Sequence, residues 1–224
     1  MNCETNIKNL KHMLKQIKIQ TYILMGTLAI LAGSCIPSLF PLYTLDDIVH
    51  DNRIEGKWDG GENGIWIIER LEYHPGSSFL NPDWTEPEED SDSLNIHYRL
   101  TVKEFENGDT AEAEFLLHLL QLEDQLYANF YPQEFELHHD FLSWHMIEAN
   151  NFSKISISDD MLEFEFFAPD FLMQLIDENR IRISHVSLGE DILLTAPTKD
   201  LQKFVIKYGN EKDAILSPDV FRRI

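Results

Sequence analysis

The chain has 224 residues, two cysteines and a formal net charge of -21, from 18 Lys and Arg against 39 Asp and Glu. This acidic balance argues against nucleic acid as a partner, because phosphates select clusters of basic residues. It argues equally against electrostatic binding to anionic lipids. The hydrophobic content of 43% and the 14 Phe residues are sufficient for the core of one domain.

The N-terminus has the pattern of a targeting segment. Several lysines precede an uncharged, largely apolar run at residues 21–31, and three small residues then lead to Cys35. This order resembles the bacterial lipobox, which implies a signal peptide at residues 1–34, cleavage before Cys35 and a lipid on that cysteine. The apolar run is shorter than the roughly 20 residues that a spanning helix needs. Translation from Met13 in place of Met1 would give a shorter signal peptide of the same kind.

Residues 35–53 are predicted to form a lipidated tether, since Pro37 and Pro41 limit helix formation. Cys3 and Cys35 are the only cysteines, so the chain that follows the anchor has no thiol for a disulfide, a zinc site or a nucleophile. Four Lys and one Glu precede Cys35, so the remaining chain carries a formal charge of -24.

Residues 54–209 are predicted to form a β-rich domain. Residues 56–58 and 65–71 read as strands, and residues 74–93 as a long acidic loop with three prolines. Strict alternation over residues 94–102 indicates a half-buried strand with one apolar face: Leu94, Ile96, Tyr98, Leu100 and Val102. Asn107 and Gly108 predict a hairpin turn into a strand at residues 111–121.

Further strands are predicted at residues 126–131, 141–148, 154–158, 161–167, 181–186 and 191–196. Helical spacing after Pro169 predicts one helix, and a second is expected from a Thr198 cap to Gly209. Residues 210–224 are expected to be a tail. The sequence therefore predicts a mainly β fold, either a curled antiparallel sheet or a lipocalin-like barrel with two short C-terminal helices. A β-sandwich is the alternative.

Several short runs resemble uncharacterised bacterial lipoproteins. These are PLYT at residues 41–44, the Gly-x-Trp of Gly56 and Trp58, YRLTV at residues 98–102 and LTAPTKDLQKF at residues 194–204. The Gly-x-Trp motif is also similar to that of lipocalins. That resemblance implies that Trp58 packs across one barrel end and that the barrel holds an apolar ligand.

Neither a metal nor another cofactor is predicted. Three histidines lie near carboxylates, but their spacing matches no standard zinc site: His138, His139 and His145. The acidic run at residues 86–92 lacks the EF-hand arrangement. His97, His118 and His185 have no neighbouring pattern that specifies a catalytic triad, and no nucleophile elbow or phosphate-binding loop is present. The sequence thus favours a protein without enzymatic activity.

The leading hypothesis is a membrane-anchored lipoprotein that binds a hydrophobic ligand. Candidate lining residues are Trp58, Trp66, Tyr98, Phe115, Trp144 and Phe164. A barrel packed solid with side chains would argue against this hypothesis. The alternative is a protein-interaction or assembly module of the cell envelope, which predicts an exposed apolar patch. An envelope hydrolase ranks third. The residue after the lipidated cysteine is Ile36. An Asp at this position would indicate retention in the inner membrane. Ile36 is therefore compatible with an anchor in the outer membrane and a protein that faces the periplasm.

Overall fold

Strands dominate the described part of the chain, which in the computed structural model comprises residues 35–71, 97–106, 109–133, 147–189 and 191–224. The strands are β1 (Ile48–Val49), β2 (Gly56–Asp59), β3 (Ile65–Arg70), β4 (Tyr98–Glu106), β5 (Asp109–Leu122), β6 (Gln125–Pro132), β7 (Asn151–Ile157), β8 (Met161–Phe166), β9 (His185–Leu188), β10 (Asp191–Leu194) and β11 (Asp219–Arg223). The helices are α1 (Pro169–Asp177) and α2 (Thr198–Tyr208). Short 3-10 turns occupy residues 45–47, 52–54, 61–63 and 212–214.

Eight of these strands close into an antiparallel barrel. The order is β5-β4-β3-β2-β11-β8-β7-β6, and β6 pairs again with β5. β5 makes the closure possible because it is 14 residues long. Its first part pairs with β4 and its second part with β6, while β1 adds an extra strand on β5. The barrel confirms the predicted mainly β fold, and the β-sandwich alternative is wrong because one sheet closes on itself.

Period-two alternation separates two hydrophobic cores. The inner core fills the barrel with Ile54, Trp58, Ile68, Tyr98, Leu100, Leu117, Leu119, Ala128, Phe130, Ile155, Leu162, Phe164 and Phe221. Residues of opposite parity on β5, β6 and β7 point outward, and Leu120, Tyr127 and Phe152 belong to a second core. Side chains on successive residues of a strand face opposite sides, which is why one strand serves both cores.

The second core lies between the barrel wall and the helices. α1 begins with Pro169 at its first turn and buries Leu172 and Leu175. α2 buries Leu201, Phe204, Val205 and Tyr208, and ends at Gly209. Thr198 is the first residue of α2 and not its cap; its hydroxyl instead donates to the Pro41 carbonyl at 2.8 Å. No helix in the described ranges combines the length and hydropathy needed to cross a bilayer.

The segment predicted as a tether packs on the outside of the barrel. Ile36 and Leu42 are buried, and Ser38 forms backbone hydrogen bonds with Asn150. Leu42 donates its backbone N–H to the Asn129 side chain at 3.0 Å. As expected, no helix forms at Pro37 and Pro41, but the apolar side chains of Ile36 and Leu42 are inserted into the outer core. Residues 36–49 are therefore part of the fold, which corrects the tether prediction.

The C-terminal segment also belongs to the fold. β11 lies between β2 and β8 and completes the barrel, with Phe221 fully buried. The prediction of a tail is wrong because a five-residue strand with only Val220 and Phe221 as apolar residues gives no clear periodicity. Other predictions lie outside the described residues: the signal peptide at 1–34, the loop at 74–93, the turn at Asn107 and Gly108, and most of the strand at 141–148.

Candidate ligand site at the aromatic end of the barrel

One end of the barrel, here called the covered end, is filled by side chains. It is the end where β3 finishes and β4 begins, and residues 52–54 form a 3-10 turn over it. Ile54, Trp58 and Tyr98 are fully buried there. The Trp58 indole N–H donates to the Ile54 carbonyl at 2.8 Å, which fixes the turn on the barrel. Leu126 and Ile157, which pack against the inner core near this end, are partly exposed.

A polar network surrounds the covered end. The Tyr98 hydroxyl hydrogen-bonds His50 and lies 3.0 Å from the Asp51 backbone N–H, which donates to it. Burial of this phenol raises the pKa of Tyr98 to about 12, so it stays protonated at neutral pH. Arg70 contacts His50 and donates to Glu55 at 2.7 Å. These contacts hold residues 50–55 against the barrel and leave no opening at Tyr98.

The middle of the barrel is filled by an aromatic cluster. The Trp66 ring lies 4.3 Å from the Phe221 ring and 5.1 Å from the Phe164 ring, centroid to centroid. Phe130 lies 5.7 Å from Phe164 and 5.9 Å from Phe166. Offset and edge contacts at such separations are favourable between aromatic rings. An eight-stranded barrel has an interior just wide enough for side chains or one small ligand. This cluster therefore packs the middle of the barrel with side chains and forms a floor across it. Such packing argues against a ligand held deep in the barrel and leaves only the barrel ends for binding.

The opposite end, here called the aromatic end, is where β6 finishes and β7 begins. Four inward-facing apolar residues remain partly exposed there: Trp66, Val102, Phe115 and Phe166. All four belong to or pack against the inner core. Solvent therefore reaches side chains that point into the barrel at this end. These four side chains give this end a partly exposed apolar surface beside the aromatic floor.

Two polar side chains of β7 point into the same end. Ser153 is fully buried between Ala128 and Phe166, its cross-strand neighbours. Among the described atoms its Oγ has no hydrogen-bond partner, and the buried Oδ1 of Asn151 likewise has none. Ile155, two residues further along β7, belongs to the inner core, so the alternation turns Asn151 and Ser153 inward too.

The predicted lining residues divide between the two ends. Trp58 and Tyr98 are packed into the covered end and Phe164 into the floor, whereas Trp66 and Phe115 reach the aromatic end. Trp144 lies outside the described residues. Five further residues at this end and in the floor were not predicted: Phe130, Phe166, Phe221, Asn151 and Ser153. The signal for the last two was present, because they occupy the inward parity of a strand that continues with Ile155 and Ile157.

A second cluster lies on the outer wall beneath the N-terminal segment. His97 Nδ1 and His118 Nε2 are 2.7 Å apart, and the Tyr43 ring packs on His118 at 4.3 Å. Burial, followed by the proximity of His97, lowers the pKa of His118 well below its usual value. Burial also lowers the pKa of His97 and raises that of Tyr43. Both imidazoles are therefore neutral in the folded protein at neutral pH.

His97 and His118 form a packed polar contact on the outer face of the barrel wall. His118 Nδ1 is buried and finds no hydrogen-bond partner among the described residues. Nearby, Tyr131 donates its hydroxyl to Glu148, and burial together with this contact raises the pKa of Tyr131 to about 12. The described part of the chain contains no group of three or more His, Cys, Asp or Glu that is arranged to hold a metal ion. Three histidines near carboxylates in the sequence lie outside that part: His138, His139 and His145.

Comparisons with known proteins add no relative. No protein-family model matches the chain, and neither a curated protein nor a solved structure matches it. The resemblances to bacterial lipoproteins and lipocalins thus stay predictions from short motifs.

Proposed function

We propose that this protein is a lipid-anchored protein of the cell envelope that binds a hydrophobic molecule at the aromatic end of its barrel. The observation that carries the proposal is the difference between the two ends. At the covered end the large side chains Trp58 and Tyr98 are fully buried, while Leu126 and Ile157 are partly exposed. At the aromatic end three large rings point inward and are partly exposed: Trp66, Phe115 and Phe166. Concave apolar surfaces with a few polar groups are the usual setting of small-molecule sites.

The aromatic floor limits what the site holds. Trp66, Phe164 and Phe221 occupy the middle of the barrel, so a ligand rests above them and does not pass through. The ligand therefore buries one segment of apolar chain or one ring, with the remainder outside. Covering a side chain such as Phe115 contributes about 25 cal/mol for each Å² of apolar surface removed from water.

The predicted anchor supports the same function. Cys35 is three residues from Ser38, whose backbone pairs with Asn150, the residue that precedes β7 at the aromatic end. Three extended residues span at most about 11 Å. A lipid on Cys35 would thus keep the aromatic end close to the bilayer, where a lipid-like ligand is available.

Exposed apolar side chains lie on the same side of the molecule. Leu39 and Phe40 follow Ser38, Ile147 precedes Asn150, and Phe105 lies near the tip of the β4–β5 hairpin that extends past this end. These four belong to the seven large apolar residues that are exposed among the described ones. A rim of this kind suits contact with lipid headgroups and chains. The chain's acidic charge does not oppose contact with a neutral bilayer.

The same rim gives the second candidate function. Leu39, Phe40 and Ile147 would also suit a protein partner in the envelope, as an assembly module requires. The two functions differ in what the isolated protein retains, because only the first requires a bound small molecule.

Native mass spectrometry with lipid extraction, on the full chain purified from the envelope, tests the proposal. An apolar molecule bound at about one per chain, and lost in a Trp66→Ala variant, is the expected result. A ligand-free mass together with an unchanged spectrum for Trp66→Ala would contradict ligand binding and favour the assembly module. The same spectra report the mass of the group on Cys35.

A further inference from the structure

Two buried polar atoms without a hydrogen-bond partner among the described residues lie on the inward face of β7 at the aromatic end. Ser153 has no exposed surface, and its Oγ meets no hydrogen-bond partner among the described residues. Asn151 Oδ1, two residues earlier on the same face of β7, is also buried without a hydrogen-bond partner among the described residues. Burying a hydroxyl or an amide oxygen without a partner destabilises the folded protein, because the group loses its hydrogen bonds to water and gains none in return. Both groups could be paired by a ligand that enters the aromatic end.

The chemistry of the two atoms defines the complementary group. Asn151 Oδ1 only accepts a hydrogen bond, whereas the Ser153 hydroxyl donates or accepts. Residues i and i+2 of a strand lie about 6.8 Å apart, so a head with two neighbouring oxygens reaches both better than a single atom does. A hydroxylated head supplies the donor for Asn151 and an acceptor for Ser153.

The charge of the head follows from its surroundings. Among the described side chains that point into the aromatic end none is basic, while Asp219 lies on the inward face of β11 near its rim. Asp219 accepts a hydrogen bond from Asn63 at 3.1 Å. An anionic head buried at Ser153 would have no counter-charge, and burying an unpaired charge is far more costly than burying a hydroxyl.

We infer that the ligand is an uncharged amphiphile with a hydroxylated head, such as a monoacylglycerol, which enters head first and hydrogen-bonds Asn151 and Ser153. Its acyl chain then lies along Phe115, Phe166 and Trp66 and leaves the barrel towards the rim. The inference rests on the proposed function, since it specifies the ligand of the same site. It explains why Asn151 and Ser153 are polar although they lie on the same inward face of β7 as the apolar residues Ile155 and Ile157.

The test compares three probes that share one acyl chain: 1-monodecanoylglycerol, methyl decanoate and decanoate. The full chain carrying Cys35→Ser, so that no attached acyl group competes, is titrated with each probe, and binding is followed by displacement of N-phenyl-1-naphthylamine. We expect monodecanoylglycerol to bind about fivefold or more tightly than methyl decanoate, with decanoate the weakest, because one net hydrogen bond corresponds to roughly such a factor.

Matched variants assign the preference to β7. Ser153→Ala and Asn151→Leu should each reduce the preference for monodecanoylglycerol over methyl decanoate about fivefold, while both still bind methyl decanoate. Ser156→Ala is the control, since Ser156 lies on the same strand with its side chain exposed on the outer face. Thermal unfolding of each variant verifies that the barrel is intact.

The outcomes distinguish the inferred hydroxylated head from the proposed binding of a hydrophobic ligand. Equal binding of all three probes, or a preference that survives both Ser153→Ala and Asn151→Leu, overturns the hydroxylated head but leaves hydrophobic binding in place. Failure of every probe, including N-phenyl-1-naphthylamine, to bind the intact protein overturns both. Strongest binding of decanoate overturns the uncharged head.

Discussion

The guanidinium of Arg223 lies over the indole ring of Trp58, with its central carbon 4.1 Å from the ring centroid. The same guanidinium donates to three backbone carbonyls: Arg53 at 2.6 Å, Glu55 at 2.8 Å and Asp159 at 2.6 Å. One side chain of the closing strand β11 thus ties together the 3-10 turn over the covered end, the start of β2 and the β7–β8 connection. The penultimate residue of the chain is therefore a structural residue of the barrel.

Replacing Arg223 with alanine should lower the free energy of unfolding by about 2 kcal/mol, from the lost cation–π contact and hydrogen bonds. Urea unfolding followed by tryptophan fluorescence measures the change. Arg222→Ala is the matched control, because Arg222 is its exposed neighbour on the opposite face of β11. Equal effects of the two substitutions would show that the contact with Trp58 contributes nothing specific.

Gly56 makes room for this contact. Its φ of 139° is one that other residues rarely adopt, and a Cβ there would lie 2.5 Å from Arg223 Nη1. Gly56→Ala should therefore destabilise the barrel by about 2 kcal/mol or more, through both backbone strain and displacement of Arg223. Gly61→Ala provides the comparison: its φ is 63° and a Cβ there meets nothing within 4 Å. An equal loss in both, measured by urea unfolding, would contradict the role of Arg223.

The sequence predicts the strands of the barrel better than the contacts between them. The alternation that predicts β4 and β5 arises from burial on one face, and short-range turn signals join them. The closing strand β11 escaped prediction because Val220 and Phe221 alone carry its pattern. The pairing of His97 with His118 depends on the register Tyr98↔Leu117. No spacing along the chain reveals such a register before the strands are paired.

For the candidate site too, the sequence predicts which residues are in strands but not which of them lie close together. Trp66 and Phe115 are large aromatic residues in predicted strands, and both reach the aromatic end. Trp58 and Tyr98 share these two properties, but they are buried at the other end. Only the closed barrel distinguishes the two ends, since inward parity is identical for all four residues. Ser153 was overlooked because a small polar residue within a strand ordinarily faces solvent.

The buried histidine pair should make the fold sensitive to mild acid. An unfolded histidine has a pKa of about 6.5, and those of His97 and His118 are lowered in the folded protein. Well above pH 6.5 neither state binds the proton, and these two histidines leave the free energy of unfolding unchanged. As the pH falls below that value the unfolded chain takes up the protons first, so stability is lost by up to about 1.4 kcal/mol per pH unit for each histidine.

Urea unfolding between pH 7.5 and pH 5 measures this loss, and His118→Leu should reduce it. Carboxyls with lowered pKa values, such as Asp47 and Asp51, contribute mainly below this range. His185→Gln is the control, since His185 lies on β9 away from the pair and bonds the Ile183 carbonyl. An unchanged pH profile in His118→Leu would mean that other groups cause the acid sensitivity.

The proposed orientation on the membrane can be tested with a fluorophore at either end of the molecule. Phe105 lies at the rim of the aromatic end, whereas Leu45 leads into β1, which pairs with Leu119 and Leu120 towards the covered end, and both side chains are exposed. Phe105→Cys and Leu45→Cys, each labelled with nitrobenzoxadiazole in the full chain purified from the envelope, are reconstituted in phosphatidylcholine vesicles. Doxyl-labelled lipids should quench the label at residue 105 several-fold more than the label at residue 45, because collisional quenching needs contact within the headgroup and chain region. Equal or reversed quenching would show that the aromatic end does not face the bilayer, and ligand would then have to reach Trp66 from the aqueous side.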